Sequence, residues 1–220
     1  MVVVIDGPAG SGKSTVAKML SKRLCFKYLD SGAMYRALTW KAAKVGLTFH
    51  DNEELYKLVN ETRIRIESTD DGFEIYVDDV NVTKEIRLPF VTENIHYVSN
   101  NGFIRSKMVE LQRRFADGEN IVAEGRDMGS VVFPDADKKI YLDADIEKRA
   151  ERRYSELKDF DGKSKIFKVV EDLKRRDHQD LTRKVAPLKQ LDDAFYLDTT
   201  RLTREEVVAI LIKEIEKTSK

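Results

Sequence analysis

A glycine-rich segment that directly follows a short apolar run constrains the fold of this chain more than any other feature. The run is VVVI at residues 2–5, and the segment GPAGSGKST at residues 7–15 fits the pattern G-x-x-x-x-G-K-[ST]. A buried strand, this pattern and a following helix together form a P-loop, which binds nucleotide phosphates. The segment therefore predicts an α/β fold built on a parallel sheet, with its first strand at residues 2–5.

Each residue type in the P-loop suits the binding of a triphosphate. Glycines let the backbone curl until successive N–H groups point at phosphate oxygens, and the following helix presents its positive N-terminal end. Lys13 adds a point charge near the β- and γ-phosphates, and the Ser14 hydroxyl is a candidate Mg²⁺ ligand. We therefore predict an ATP site formed by Gly7, Pro8, Ala9, Gly10, Ser11, Gly12, Lys13, Ser14 and Thr15.

The balance of charge excludes several classes of partner. The chain of 220 residues has 39 Lys plus Arg and 39 Asp plus Glu, so no global basic field attracts nucleic acid or an anionic membrane. No apolar run reaches membrane-spanning length, and the N-terminal residues show no signal-peptide pattern. Cys25 is the only cysteine, which excludes an intrachain disulfide and fits a reducing cytoplasm. We expect a cytoplasmic protein, with Cys25 as a small residue of the core.

Apolar runs alternate with amphipathic helical patterns along most of the chain, which predicts a three-layer fold with a doubly wound parallel sheet. The expected strands lie at residues 2–5, 28–29, 121–123, 140–142 and 194–198. The expected helices lie at residues 13–24, 31–45, 52–60, 89–99, 104–115, 146–157 and 166–178, with a last helix capped by Thr203. Trp40 continues the apolar stripe of its helix and is expected in the core.

Two segments interrupt this pattern. From residue 63 apolar and polar residues alternate, and a turn at residues 69–72 separates two such runs, so residues 63–88 predict a small antiparallel three-stranded insertion. Residues 158–163 (KDFDGK) have the composition of a loop between two charged helices. We interpret residues 151–170 as a helical lid, and closure of the segment from Tyr154 to Lys168 would exclude water.

A P-loop alone does not distinguish a kinase from a nucleotide-gated switch. A guanine-nucleotide switch is expected to have Asn-Lys-x-Asp after a late strand, and this sequence has no Asn-Lys pair. Residues 159–162 (DFDG) fit Asp-x-x-Gly only nominally, because they lie in the proposed lid loop. We favour a kinase and keep a switch, with the insertion as its partner surface, as the alternative from another class.

Eight arginines stand where strands end or where helices are expected to face the P-loop. Transfer of a phosphoryl group to a second phosphate brings two polyanions together, and fixed guanidinium groups offset that repulsion. This arrangement favours a phosphate-bearing acceptor over a simple hydroxyl. For Arg149, Arg152 and Arg153 we weigh solvated or ion-paired surface positions equally with a functional role. The eight are Arg36, Arg105, Arg126, Arg149, Arg152, Arg153, Arg176 and Arg183.

Two short segments hold the strongest candidates. Arg126 and Asp127 follow the apolar run at residues 121–123, at the carboxyl end of a predicted core strand, where ligands bind in open α/β sheets. Arg176, Asp180 and Arg183 share one face, at spacings i, i+4 and i+7, if their helix continues through all three. An ion pair between Arg176 and Asp180 is the alternative. Two cations beside a carboxylate also suit a nucleotide, with the cations on phosphate and the carboxylate on ribose hydroxyls.

With these motifs the chain resembles the bacterial-type cytidylate kinases, a family within the nucleoside monophosphate kinase group of P-loop kinases. The resemblance extends nearly end to end, and all its motifs except the P-loop are together highly specific. The antiparallel insertion is also typical of this family. The motifs are IDGPAGSGKS at residues 5–14, LDSGAMYR at 29–36, GRDMGSVVFPDA at 125–136, Arg176 and Asp177 with Asp180 and Arg183, and APL at 186–188.

The resemblance implies a role for each matching residue. The CMP-binding set would be Ser31, Tyr35 and Arg36 at the phosphate, Arg105 and Asp127 at the cytosine ring, Arg126 and Arg183 at phosphate, and Asp180 at the ribose hydroxyls. The catalytic set would be Lys13, Arg126, Arg153 and Arg176, the last lying between the two phosphates. Arg149 would join the ATP-binding set. The chemistry agrees, because the cytosine amino group donates to a carboxylate and uracil has no such donor.

The resemblance also implies the reaction. The chain would transfer the γ-phosphoryl group of ATP to CMP, and also to dCMP, by in-line transfer assisted by Mg²⁺ and without a general base. Its 220 residues would form a single kinase chain with a core at about 1–30, 100–150 and 185–220. Residues 31–99 would form the region that binds the nucleoside monophosphate. A monomer suffices for this activity.

Two residues depart from the family pattern. Glu124 stands where aspartate is expected, and His96 stands about where a serine contacts the base in enterobacterial members. The preference among CMP, dCMP and UMP therefore stays open, as does another small acceptor such as a polyol acid. His50, His96 and His178 have no metal-ligand spacing, so we expect structural or surface roles for them.

Overall fold

A computed structural model describes residues 1–69, 72–158 and 166–218 of the chain. The strands are β1 (Val2–Asp6), β2 (Lys27–Asp30), β3 (Ile64–Thr69), β4 (Gly72–Val77), β5 (Val80–Asn81), β6 (Ile121–Gly125), β7 (Lys138–Asp143) and β8 (Phe195–Asp198). The helices are α1 (Lys13–Leu24), α2 (Ser31–Lys44), α3 (Asn52–Glu61), α4 (Pro89–Ser99), α5 (Gly102–Ala116), α6 (Ile146–Lys158), α7 (Ile166–Thr182) and α8 (Arg204–Glu216). Within the described ranges, none of the helices combines the length and the apolar composition that crossing a membrane requires.

The chain divides into two compact units, one formed by Met1–Phe26 with Asn120–Lys220 and the other by Lys27–Glu119. Four strands of the parallel sheet lie in the first unit, in the order β6-β1-β7-β8. Central β1 aligns Val3 with Val122 of β6 and Ile5 with Ile140 of β7. Val3 and Ile5 are fully buried, as expected for a strand covered on both faces. The predicted parallel sheet is confirmed.

The register of this sheet brings the carboxyl ends of β1 and β6 side by side, with Asp6 opposite Gly125. The P-loop leaves the end of β1, and the segment of Arg126 and Asp127 leaves the end of β6. These two segments therefore meet at one edge of the sheet, which is the edge where open α/β folds bind ligands.

Helices α6 and α7 pack together in the same unit. Ala150, Val169 and Leu173 form a buried apolar cluster with Ala9 of the P-loop. Helix α7 continues to Thr182, beyond its predicted end at residue 178, so the positions 176 and 180 lie on one continuous helix. Apart from residue 158, the lid loop predicted at 158–163 lies outside the described residues, and so does the DFDG sequence.

The second unit begins with β2 and α2. The Asp30 carboxylate caps α2 by accepting from Ala33 N at 2.8 Å. Trp40 is 9% exposed and lies in the core, as predicted. Strands β3, β4 and β5 form the antiparallel sheet of the predicted insertion, with Ile66 opposite Ile75. The period-2 pattern in the sequence therefore identified both the strands and their pairing.

Cys25 is exposed, so the prediction that it is a core residue is wrong. It ends α1 in the left-handed conformation, with φ 56°, and its N–H donates to Lys22 O at 3.4 Å. A residue in this conformation turns the chain out of the helix and away from the face that packs on the core. Apolar spacing identifies the buried face of a helix but not the residue that ends it.

Candidate active site

The P-loop turns tightly between β1 and α1. Gly7 has φ +150°, and a Cβ built on it would lie 2.0 Å from Leu142 O of β7, so only glycine fits there. Gly10 and Gly12 have φ +76° and +96°, in the left-handed region that glycine adopts without strain. The loop therefore has the curled backbone that phosphate binding by N–H groups requires.

Lys13 is the buried cation of the P-loop. It is 5% exposed, and Nζ donates to Pro8 O at 2.6 Å and to Ser11 Oγ at 3.4 Å. Burial and, second, the positive charge of Arg126 lower the pKa of Lys13 to about 7. A phosphate group beside this ammonium would raise the pKa, so anion binding at this point would be coupled to the protonation of Lys13.

Asp6 supports the edge of the sheet at which the P-loop and the end of β6 meet. Its two carboxylate oxygens accept from Met128 N at 3.0 Å and from Gly129 N at 2.8 Å. Burial raises the pKa of Asp6 to about 6, although both hydrogen bonds act to lower it. By holding these two amides, Asp6 fixes the backbone that directly follows Asp127.

Four of the predicted CMP-binding residues lie in the first unit and form a cluster of alternating charge. Arg126 Nε donates to Asp180 Oδ2 at 2.7 Å, although the two residues are 54 positions apart. Arg183 Nη2 lies 3.5 Å from Asp127 Oδ1, and these side chains are 7% and 5% exposed. Arg183 Nη1 also lies 3.9 Å from Asp180 Oδ1, which joins the two pairs.

Neighbouring carboxylates stabilise the charged form of Arg126. Burial acts to lower the pKa of Arg126, but the charge of Asp180 and its hydrogen bond raise it, as does the charge of Glu124, and the net pKa is raised. A guanidinium group bound to a carboxylate has the fork geometry that also binds a phosphate. The cluster can therefore exchange an internal carboxylate partner for a phosphate group of a ligand.

Arg176 forms its ion pair with Asp172 and not with Asp180, so the alternative of an Arg176–Asp180 pair is wrong. Arg176 Nε lies 2.8 Å from Asp172 Oδ2, whereas Asp180 binds Arg126. Burial lowers the pKa of Arg176, Asp172 opposes that shift, and the charges of Arg153 and Arg126 add to it. The predicted catalytic residues Arg126 and Arg153 are therefore each close enough to Arg176 to repel its charge.

Two arginines of α6 bind backbone carbonyls of the P-loop. Arg149 Nη1 donates to Ala9 O at 3.0 Å, and Arg152 Nη1 donates to Ser11 O at 3.3 Å. Arg152 also donates to Oγ1 and O of Thr199, at 3.0 Å and 2.7 Å. Because Arg149 is 8% exposed, the alternative of a solvated surface residue is wrong for it. Its binding to ATP stays a prediction.

The other predicted CMP-binding residues lie in the second unit, around the N-terminus of α2. Ser31 and Tyr35 are buried there. Arg36 Nη2 donates to the capping carboxylate of Asp30 at 3.0 Å. Arg105 of α5 is 3% exposed, and its guanidinium carbon lies 5.4 Å from the centroid of the Tyr35 ring. The fold thus places two buried hydroxyl residues and two arginines in one neighbourhood of this unit.

The two residues that depart from the family pattern have different surroundings. Glu124 is 4% exposed, and its charge raises the pKa of Lys13 against the effect of burial. His96 is half-buried on α4, with Nδ1 2.8 Å from Glu93 O and its ring 3.9 Å from that of Tyr97. Glu124 is therefore an electrostatic neighbour of the P-loop, whereas a contact of His96 with a base stays a prediction.

Reasoning from the sequence assigned no individual role to three residues with central positions: Asp6, Asp177 and Thr199. Asp177 Oδ1 accepts from Ala9 N at 3.2 Å, and Thr199 accepts and donates hydrogen bonds beside Ser11. Asp6 and Thr199 each lie at the carboxyl end of a strand, and that position could have identified them. Asp177 directly follows Arg176, and only the packing of α7 reveals its contact with the P-loop.

The polar groups of the P-loop suit a magnesium ion that is bound together with a nucleotide. In the part of the chain that the structure describes, no group of three or more His, Cys, Asp or Glu side chains could hold a metal ion. Mg²⁺ commonly keeps several waters and binds through one or two protein ligands and substrate phosphates. Ser14 is exposed at the start of α1, so its hydroxyl is accessible for this kind of coordination.

The comparisons with known proteins identify a family for this chain. The family model for cytidylate kinase matches residues 3–217. A cytidylate kinase of Caldanaerobacter subterraneus is 43% identical over 218 residues, which cover 99% of this chain and 96% of the relative. One of Fusobacterium nucleatum is 42% identical, with 99% of this chain and 98% of the relative covered.

A solved structure extends the comparison to the fold alone. An uncharacterized protein from Eubacterium ventriosum has a TM-score of 0.54 at 12% identity, and the match covers 98% of each chain. The family assignment rests on the sequence matches, which are nearly full-length. The chain therefore belongs to the cytidylate kinase family and is a nucleoside monophosphate kinase.

Proposed function

We propose that this chain transfers the γ-phosphoryl group of ATP to a phosphate oxygen of CMP, giving ADP and CDP, and that dCMP is a second acceptor. The observation that supports this most is the charge cluster of Arg126, Asp127, Asp180 and Arg183 in the unit that contains the P-loop. A nucleotide-gated switch has no use for a second set of anion-binding groups next to its phosphate loop.

The P-loop would bind the donor. Amides of residues 7–15 would donate to the phosphate oxygens of ATP, and Lys13 would exchange its bond to Pro8 O for the β- and γ-phosphates. Ser14 would help to hold Mg²⁺ together with the nucleotide, and the ion would supply positive charge that neutralises the phosphates. Arg149 would contribute to this site mainly by holding Ala9 O.

The transfer itself would need no general base, because the acceptor phosphate is already an anion near neutral pH. Catalysis would then consist of positioning the two phosphates in line and stabilising the charge that moves between them. Lys13, Arg126, Arg153 and Arg176 would provide that stabilisation. The repulsion of Arg176 by Arg126 and Arg153 would be relieved when anionic phosphates lie among them.

The acceptor would be recognised at three places. Ser31, Tyr35 and Arg36 would hold the CMP phosphate with Arg126 and Arg183, and Asp180 would accept from the ribose hydroxyls. Asp127 would accept from the cytosine amino group, and Arg105 would donate to the ring acceptors. UMP presents a carbonyl oxygen where CMP has the amino group, so a carboxylate at that point disfavours UMP.

The remaining assignments are part of the same proposal. The core would comprise about residues 1–30, 100–150 and 185–220, residues 31–99 would bind the monophosphate, and residues 151–170 would close as a lid to keep water from the γ-phosphate. The enzyme would act as a monomer in the cytoplasm.

A panel of nucleoside monophosphates, assayed by ADP release with and without Mg²⁺, tests the proposal. We expect rapid ADP formation that depends on CMP and Mg²⁺, with dCMP next and UMP far behind. A polyol acid in the panel tests the other kinase alternative. Slow ATP hydrolysis that no monophosphate accelerates would instead support the switch.

A further inference from the structure

Asp177 closes a ring of hydrogen bonds around one residue of the P-loop. Its Oδ1 accepts from Ala9 N at 3.2 Å, and its Oδ2 accepts from Arg149 Nη1 at 2.5 Å. The same Arg149 nitrogen donates to Ala9 O at 3.0 Å. Both backbone polar groups of Ala9 are therefore bound by side chains, the carbonyl by α6 and the amide by α7.

The surroundings hold this ring rigidly. Arg149 Nε donates to Ala144 O at 2.9 Å, and the Arg149 and Asp177 side chains are 9% and 15% exposed. Ala9 itself packs in the apolar cluster that α6 and α7 share. A buried ion pair is a weak source of stability, because desolvation offsets most of its attraction. Its effect is better sought in the geometry that it imposes on the loop.

The neighbours of Asp177 on α7 connect this ring to the proposed transfer site. Arg176 directly precedes Asp177, and Asp180 lies less than one turn further on and binds Arg126. We infer that Asp177, acting through Arg149 and Ala9, is a positioning residue that sets the curl of the P-loop for the donor nucleotide and aligns α7 with it. The inference rests on the proposed function only in that the P-loop binds ATP or ADP.

Asp177→Asn tests the inference with little change of shape. An amide oxygen cannot supply both of the bonds that the carboxylate accepts, and Arg149 loses its counter-charge. We expect the Kd for ADP, measured by calorimetry on the free enzyme, to rise roughly tenfold to a hundredfold, the loss typical of a hydrogen bond to a charged group. The Kd for CMP should change much less. The matched control is Glu171→Gln, which also replaces a carboxylate by an amide but at an exposed position of α7. It should leave both affinities unchanged.

A second variant keeps the test decisive if Asp177→Asn folds poorly. Arg149→Lys retains the positive charge but lacks the fork that reaches Ala144 O, Ala9 O and Asp177 together. This variant should also weaken the binding of ADP more than the binding of CMP. In the double variant Arg149→Lys/Asp177→Asn the losses of the two single variants should not add, because both substitutions break one ring.

Folded variants with the ADP affinity of the Glu171→Gln control, or losses that simply add, would overturn the inference. The ADP measurement involves no acceptor, so a wild-type enzyme that fails to phosphorylate CMP would overturn the proposed function and leave this inference standing. Conversely, if the variants keep wild-type ADP affinity, the inference is wrong even when the wild-type enzyme phosphorylates CMP.

Discussion

Two groups of arginines in the first unit look alike in the sequence and differ in what they bind. Arg126 and Arg183 pair with carboxylates, whereas Arg149 and Arg152 donate to backbone carbonyls of the P-loop, and Arg149 also pairs with Asp177. A carboxylate and a phosphate suit the same fork of guanidinium N–H groups, so an arginine of the first group can change partners. An arginine that binds a carbonyl oxygen of the P-loop cannot exchange it for a phosphate without releasing the loop. A hydrogen bond to a P-loop carbonyl therefore separates the arginines that support the loop from the arginines that can bind a ligand.

The largest expected effect that tests this comparison is at Arg126. Arg126→Ala should lower kcat/KM for CMP by roughly a hundredfold to a thousandfold, about 2.7–4 kcal/mol, because a donor to the developing charge is lost. Arg126→Lys should also fail, since an ammonium lacks the fork. Initial rates of ADP release measure both effects. Arg23→Ala, at an exposed position of α1, should retain wild-type rates. Wild-type kcat/KM in Arg126→Ala would show that this carboxylate-paired arginine does not act on the substrate.

Asp6 is the opposite case, because its carboxylate binds two backbone amides, and its test is stability. The folded pKa of about 6 lies above the ordinary 3.8, so the folded protein holds this proton more tightly between those values. The contribution of Asp6 to the free energy of unfolding should therefore fall by about 3 kcal/mol as the pH rises from about 4 to about 6, and stay constant above that range.

Urea unfolding of Asp6→Asn and wild type across this pH range isolates the contribution. Other carboxylates titrate in both proteins, so the difference between the two curves is the quantity to compare. A difference that does not change with pH would show that Asp6 is ionised throughout.

Arg152 should behave as a supporting arginine. Arg152→Ala removes hydrogen bonds to Ser11 O and Thr199 O, so we expect the free energy of unfolding to fall by about 1–3 kcal/mol and the KM for ATP to rise more than the KM for CMP. Thermal unfolding and steady-state kinetics on the same samples measure both. If stability held and the KM for CMP alone rose, Arg152 would belong with the carboxylate-paired group.

Lys13 gives the smallest effect and marks the limit of the comparison, because it donates to a carbonyl yet belongs to the predicted catalytic set. With a pKa of about 7 in the free enzyme, Lys13 is mostly neutral at pH 8, and bound phosphates would raise the pKa. ADP binding at about pH 8 should then take up close to one proton, and affinity should fall up to about tenfold per pH unit above 7.

Calorimetry in buffers of different ionisation enthalpy measures this uptake. Lys57→Met, at an exposed lysine of the second unit, should leave the uptake unchanged. Binding without proton uptake at this pH would mean that Lys13 is already charged in the free enzyme.

Sequence patterns predicted the parts of the site that depend on a single element. The motif after β1 predicted the P-loop, and the strand-end rule identified Arg126 and Asp127, because both depend on residues next to each other in the chain. Helical spacing correctly placed Arg176 and Asp180 on α7, whereas Arg183, grouped with them, lies one residue beyond the end of that helix. The antiparallel insertion was predicted for the same reason, since alternation along adjacent strands is a local property.

Partners that depend on packing could not be predicted in this way. Arg176 could pair with a carboxylate one turn before or after it, and only the contact of Asp180 with Arg126 decides between them. The bond from Ala9 N to Asp177 joins residues 168 positions apart and uses a backbone donor that every residue type except proline has. No residue type or spacing marks such a contact.

The close approach of Gly7 to Leu142 O also determines which substitutions the chain can accumulate. A Cβ at Gly7 would meet a backbone oxygen, which no change of rotamer can move, so saturation mutagenesis followed by selection should recover glycine alone at that codon. At Gly46 and Gly118, where φ is +72° and +70° and no heavy atom lies within 4 Å of the added carbon, the same library should admit asparagine. Glycines with positive φ can thus differ completely in the substitutions that their positions accept.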